Sequence, residues 1–205
     1  LFKQLLEKMA SEKAPGPYPT FSTIHILRAI QLIAEEPVGR SKLAEKLHIG
    51  EGAARTIVGR LKAAEIITIG KAGCTLTDKG LRLWKDYKSI FEKEVEIGKN
   101  ELTLANYNVA ILVKGYGNRV RSGIEQRDAA VMLGAKSATT IIVKKGLLTI
   151  PSVSSDVAKD FPKTASQILK LLKPEENDAV IIGCADSREK AEYGTLAAAW
   201  TLLNN

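Results

Sequence analysis

The stretch "GCADSREKAEYG" (183–194) gathers a thiol, carboxylates, a hydroxyl and a guanidinium where the apolar run "DAVIIG" meets an Ala-rich segment ending "LAAAWTLL". Three kinds of chemistry use such a set. Nucleophilic catalysis by Cys184 needs an adjacent base, normally a histidine. The two histidines, His25 and His48, both lie in the first quarter of the chain. A thiol at the end of an apolar strand is then a small buried hydrophobe, and enzymatic activity is not expected. Anion binding is the second possibility. A strand feeding a helix start leaves unpaired N–H groups and partial positive charge, to which Asp186, Ser187 and Arg188 contribute side chains. Arg119 and Arg121 in "YGNRVRSG" and Arg127 in "EQRD" stand at element boundaries from which they could converge on that start. The third reading involves no ligand. Asp186 caps the helix, Glu189 three residues on completes a capping box, and the arginines pair with Glu125, Asp128 and Glu192. Residue types alone leave the second and third readings open.

A different grouping lies earlier. Of the net charge of +7, residues 1–100 supply +5, and the window 40–73 alone sets seven basic residues against three acidic ones. A basic run is commonly a solvated face, so its meaning depends on the scaffold. In "EGAARTIVGRLKAAE" (51–65), helical spacing puts Ala54, Ile57, Val58 and Leu61 inward. It turns Gly52, Arg55, Thr56 and Gly59 outward. Two glycines make that face bare enough to enter a major groove, with Arg55 placed for guanine O6 and N7 and Thr56 for thymine or adenine. Arg40, Lys42, Arg60 and Lys62 flank the face as phosphate contacts, and Lys71 extends them at the tip of the following turn.

The elements that must hold these residues follow from periodicity and breakers. "LFKQLLEKMASEK" is helical and stops at "APGPYP" (14–19). Residues 23–35 form a mostly buried helix. "GRSKLAEKLHIG" makes a short one with Ser41 as its N-cap, and 51–65 a third after a brief turn. "IITIGKAGCTL" alternates around Gly70 and Gly73 as a β-hairpin. Helix, short helix, turn, helix and hairpin is the order of a winged helix-turn-helix. "TDKGLRLWKDYKSIFEKEVEIGKNE" reads as a helix with Leu81, Trp84, Tyr87, Phe91 and Val95 on one face, packed on the winged domain or paired with its copy in a dimer.

Beyond Asn100 the pattern changes. "YNVAILVKG" is a strand, "EQRDAAVMLGA" a helix closed by Gly134, and "ATTIIVKKGLLTIP" a hairpin turning at Lys145-Gly146. "PKTASQILKLLKP" is a helix between prolines, and a strand and the final helix follow. Adjacent hairpin and alternating helices specify an α+β fold, an α/β sandwich with helices packed on one sheet. Two domains are expected, 1–100 with its leading and linker helices and 101–205. A length of 205 residues suits two domains.

Composition excludes several classes. At 45% apolar and 26% charged residues the chain fills a core and is neither disordered nor fibrous. No apolar stretch is long enough to cross a bilayer. Cys74 and Cys184 give no disulfide framework and no metal-ligand spacing, so neither metal nor cofactor is expected and a reducing cytoplasm is. Plentiful Lys and Glu with few Gln, Cys and Met is a thermophile-like balance.

On Leu43-Ala44, Gly50, Leu61 and Ile66-Ile67, residues 23–83 resemble bacterial and archaeal winged-helix regulators. Glu65 stands where many of those proteins carry Gly. Through "IEQRDAAVMLGAKSATTIIV" and "VIIGCADSREKAEYG" the whole chain is similar to an archaeal family of winged-helix proteins with a C-terminal domain of unknown function. The resemblance implies a regulator architecture and lends no site residue. The expected function is a sequence-specific DNA-binding transcriptional regulator. Its second domain senses a small anionic effector or holds a homodimer together. A protein-interaction adaptor, or an enzyme with a winged-helix appendage, is the alternative.

Overall fold

The computed structural model describes residues 2–11 and 20–203. The breaker run at 14–19 lies outside the described residues. The chain forms two compact units, Leu1–Tyr87 and Lys88–Asn205.

In the first unit, α1 (Phe2–Ser11) and α2 (Thr23–Glu35) precede α3 (Arg40–Lys46) and α4 (Glu51–Ala63), then a hairpin of β1 (Ile67–Gly70) and β2 (Gly73–Leu76), and α5 (Asp78–Ile90) carries the chain across the boundary at Tyr87. Leu27, Ile30, Leu43, Leu47, Ile57, Leu61 and Ile66 are fully buried together. Leu43 and Leu47 stand four apart on α3, as do Ile57 and Leu61 on α4, so each helix commits one stripe to this core. α3 and α4 both end in the same way. Ile49 N–H bonds to Ala44 O and His48 N–H to Glu45 O, while Ile66 N–H bonds to Leu61 O and Glu65 N–H to Lys62 O. These paired bonds are Schellman closures, which require one left-handed residue. His48 (φ 53°) and Glu65 (φ 60°) supply it.

α3 begins two residues earlier than an N-cap at Ser41 predicts. Gly39 is its N-cap, and Ser41 lies inside the helix. At the N-terminus of α2, His25 Nδ1 accepts the Ser22 N–H at 3.1 Å, which gives this histidine a capping role. Its burial lowers its pKa. The hairpin pairs Ile67 with Leu76 and Gly70 with Gly73, leaving Lys71 and Ala72 at the tip. Val38 bridges to Cys74 through two main-chain bonds. Together these elements are a winged helix-turn-helix.

The expected helix over 77–101 does not run its length. It ends at Ile90, and Phe91–Glu96 forms strand β3. The sequence "FEKEVEI" alternates with period two, Phe91, Lys93, Val95 and Ile97 against Glu92, Glu94 and Glu96. Pairing with a buried neighbouring strand outweighs the helix-favouring Glu and Lys residues. Within α5 the inward residues are Gly80, Leu83 and Tyr87, with Trp84 stacked on Tyr87 at 4.8 Å. Leu81 is exposed, contrary to its place in the expected stripe.

The second unit is one five-stranded antiparallel sheet, with β3 at one edge. Its further elements are β4 (Tyr107–Val113), a 3-10 turn (Gly117–Arg119), α6 (Ile124–Met132), β5 (Ser137–Lys144), β6 (Leu147–Thr149), α7 (Val157–Asp160), α8 (Pro162–Leu171), β7 (Ala179–Ala185) and α9 (Arg188–Thr201). The strand order is β3-β4-β7-β5-β6, and every residue of central β7 is buried. Val180, Ile182 and Cys184 join Ala110 and Leu112 in a core with Ala165, Ile168 and Leu172 of α8. The alternate residues face α9 and α6. A Cβ on Gly183 would collide with Thr195 of α9, and one on Gly194 with Ala135 just beyond α6. These two glycines therefore set the helix–sheet and helix–helix spacing. The β5–β6 turn has positive φ at Lys145 (55°) and Gly146 (73°), a type I′ geometry matched to the twist of a hairpin.

Candidate nucleic-acid interface

α4 carries the candidate readout face. Ala54, Ile57, Val58 and Leu61 are buried, so the helix is fixed in phase. Gly52, Arg55 and Gly59 are exposed, and Thr56 is half-buried. Lys62, three residues past Gly59, is exposed on the same side. A Cβ added to Gly52 or Gly59 would meet nothing within 4 Å. The fold itself therefore gives no packing reason for either glycine, although Gly59, inside the helix, weakens it by about 1 kcal/mol relative to Ala. Thr56 Oγ1 donates to Gly52 O at 3.0 Å. Its lone pairs remain free to accept, and its methyl is available for apolar contact.

The flanking cations divide into three kinds. Arg40, Arg55, Lys62 and Lys71 are exposed. Lys42 is exposed but lies 3.6 Å from Glu36, whose carboxylate also receives Lys46 at 2.8 Å. The hydrogen bond from Lys46, then the charge of Lys42, holds the Glu36 carboxyl below its ordinary range. Arg60 does not belong to the surface. It is buried, and its Nη1 donates to Met9 O at 2.6 Å and Ala10 O at 3.1 Å. Its guanidinium carbon also sits 5.2 Å from the Phe21 ring centroid. Burial and these bonds withdraw it from any phosphate. Its position three residues after Ile57 already sets it toward the buried side of the helix.

The second candidate, the start of α9, is resolved differently from the capping box that the sequence implies. Ser187 is the N-cap and accepts from Lys190 N–H. Asp186 instead pairs with Lys136 at 2.7 Å. Cys184 is 1% exposed and lies within the core, as its place at the strand end implied.

The four arginines do not converge on this helix start. Arg188 bonds to Glu192 at 3.0 Å and lies just past Ala185, which pairs with Tyr107 at the beginning of β4. Arg119 and Arg121 come after Val113, at the other end of that strand. Seven strand residues separate the two ends by roughly 20 Å. Arg127 pairs with Asp128 at 2.9 Å, and its neighbour Gln126 bonds to Thr201 at the far end of α9. Strand connectivity, which a single sequence does not display, is what pulls the set apart.

Comparison with known proteins agrees with the winged unit. Residues 22–91 match the model of the CggR N-terminal DNA binding domain. Residues 104–202 match the model of a domain of unknown function, DUF4443. The chain therefore joins a regulator-family DNA-binding domain to a C-terminal domain whose role is not defined. Among solved structures it resembles a hypothetical protein from Pyrococcus horikoshii. That match has a TM-score of 0.71 and 29% identity, and covers 89% of this chain and 92% of the other. No curated protein matches. None of the helices among the described residues is long and apolar enough to cross a membrane.

Proposed function

We propose that the protein is a sequence-specific, cytoplasmic transcriptional regulator that reads double-stranded DNA with α4, while its second unit senses an effector or joins two copies into a dimer. The observation that carries the DNA reading is the outer face of α4. Arg55, exposed and with no ion-pair partner among the described residues, stands between two glycines around which an added Cβ would meet nothing. A helix surface stripped of side chains around a single guanidinium suits close approach to base edges. Bidentate donation to guanine O6 and N7 is the strongest specific contact available to that guanidinium. Arg40, Lys62 and Lys71 are the cations left for the phosphates, with Lys42 shared with Glu36.

Selection of bound sites from random duplexes, followed by mobility shift, tests the proposal. A defined site should emerge, and Arg55→Ala should cost about 1–3 kcal/mol on it with much less loss on random DNA. A chain that retards no duplex would instead be an adaptor using its winged helix for protein contacts. If a dimer binds, the half-sites should be inverted and about 10 bp apart.

A further inference from the structure

At the β5–β6 end of the second sheet lies a cleft of about 560 Å³. It is lined by Ile142, Lys144 and Thr149 of β5 and β6, by Val120 and Arg121, and by the 150–155 turn. That volume falls within the range of small-molecule sites. No acidic residue lines it, and its two cations, Arg121 and Lys144, have no ion-pair partner among the described residues. The nearby carboxylates stand behind the lining, each holding hydrogen bonds from neutral donors. Glu176 accepts the Lys145 and Gly146 N–H groups, Asp160 accepts the Ser154 hydroxyl, and Asp156 caps α7. Val120, Ile142, Ile150, Pro151 and Val153 give the lining its apolar surface, and Thr149 and three serines of the turn add neutral polar groups. The turn holds Ser152 at φ 61°, a conformation that a β-carbon makes costly.

We propose that this cleft binds a small organic anion, with a carboxylate, phosphate or sulfonate head between Arg121 and Lys144 and an apolar body over Ile142 and Val153. Two unpaired cations facing the same opening repel each other, and an anion relieves that repulsion while forming charge-assisted hydrogen bonds. The apolar surface around them favours a ligand with hydrocarbon or aromatic area over a bare inorganic ion. The site is separate from the start of α9 and does not depend on the DNA reading.

The test uses the full chain, 15N-labelled, titrated with naphthalene-1-sulfonate and in parallel with naphthalene and with inorganic phosphate. The sulfonate should shift amide resonances of Arg121, Lys144, Thr149 and the 152–155 turn in a saturable way. The double variant Arg121→Gln/Lys144→Gln should weaken that binding at least tenfold, and Arg119→Gln, altering a neighbouring cation outside the cleft, should leave it unchanged. Naphthalene and phosphate should each bind at least tenfold more weakly than the sulfonate. Shifts located elsewhere, equal binding by wild type and the double variant, or phosphate binding as tightly as the sulfonate would each overturn the proposal. If the double variant loses its native spectrum, Lys144→Gln alone, on an exposed strand end, gives the same comparison.

Discussion

Arg60 of α4 donates to the main-chain carbonyl of Met9 at 2.6 Å and so ties this helix to the C-terminal end of α1. The last carbonyls of a helix lack intrahelical partners, and a buried guanidinium satisfies two of them here. Arg60→Ala should therefore destabilise the first unit by about 1.5–3 kcal/mol, the range for hydrogen bonds to a charged group. It should not change the number of ions released on DNA binding. Urea denaturation gives the stability and the salt dependence of affinity gives the ion count. A variant of wild-type stability with a flatter salt slope would return Arg60 to the DNA surface.

The glycines on α4 predict a trade between stability and binding. Replacing Gly52 or Gly59 with Ala adds a methyl into open space and removes the backbone entropy that a helical glycine loses on folding. Each substitution should stabilise the fold, Gly59→Ala by about 0.5–1 kcal/mol, yet weaken DNA binding, because the new methyl meets the groove. Stabilised variants that bind DNA normally would mean that this face stays clear of the duplex.

Salt dependence separates the remaining cations. Each phosphate contact contributes about −0.9 to the slope of log K against log salt. Lys71→Ala should flatten the slope by about one, with equal loss on specific and random duplexes. Glu36→Gln should act in the opposite direction. It frees Lys42 from its 3.6 Å partner and removes a negative charge from that surface, so affinity should rise. An unchanged affinity in Glu36→Gln would place α3 outside the interface.

The winged unit was legible because its signals are local. The buried stripes of α3 and α4, the turn between them and the Gly70 and Gly73 hairpin are all written in consecutive residues. The stop of α4 was less plain, because it is closed by Glu65 at φ 60° rather than by the glycine that commonly takes a left-handed position. What the sequence hid depends on distant partners. β3 looked helical because Glu and Lys suit helices, and its period-two pattern becomes decisive only once β4 lies beside it. Asp186 looked like a cap until Lys136 came within 2.7 Å. The arginines looked convergent because element boundaries can be read from sequence, whereas the end of the sheet on which each boundary falls cannot.

A last expectation concerns acid. Glu101 lies 61 residues or more before the helix it caps. Its Oε1 accepts Lys163 N–H and its Oε2 accepts Thr164 N–H, each at 2.9 Å, and the Thr164 hydroxyl donates to Oε2 as well. Pro162 opens α8 without an N–H of its own, so these are the first free donors of that helix. Desolvation pushes the carboxyl up, but hydrogen bonds from its own N–H, Lys163 and Thr164 together outweigh it and bring the pKa from 4.5 to about 2. The folded value lies below the unfolded one, so the unfolded chain binds the extra proton. The contribution to stability is complete above about pH 4.5 and is lost as pH falls toward 2. Glu101→Gln has no such proton to bind. Its melting temperature should lie below that of the wild type at neutral pH, and the gap should close between pH 4.5 and 2. Circular dichroism melts of both chains across that window measure the gap directly, and curves that stay parallel would show that the carboxylate charge plays no part in capping α8.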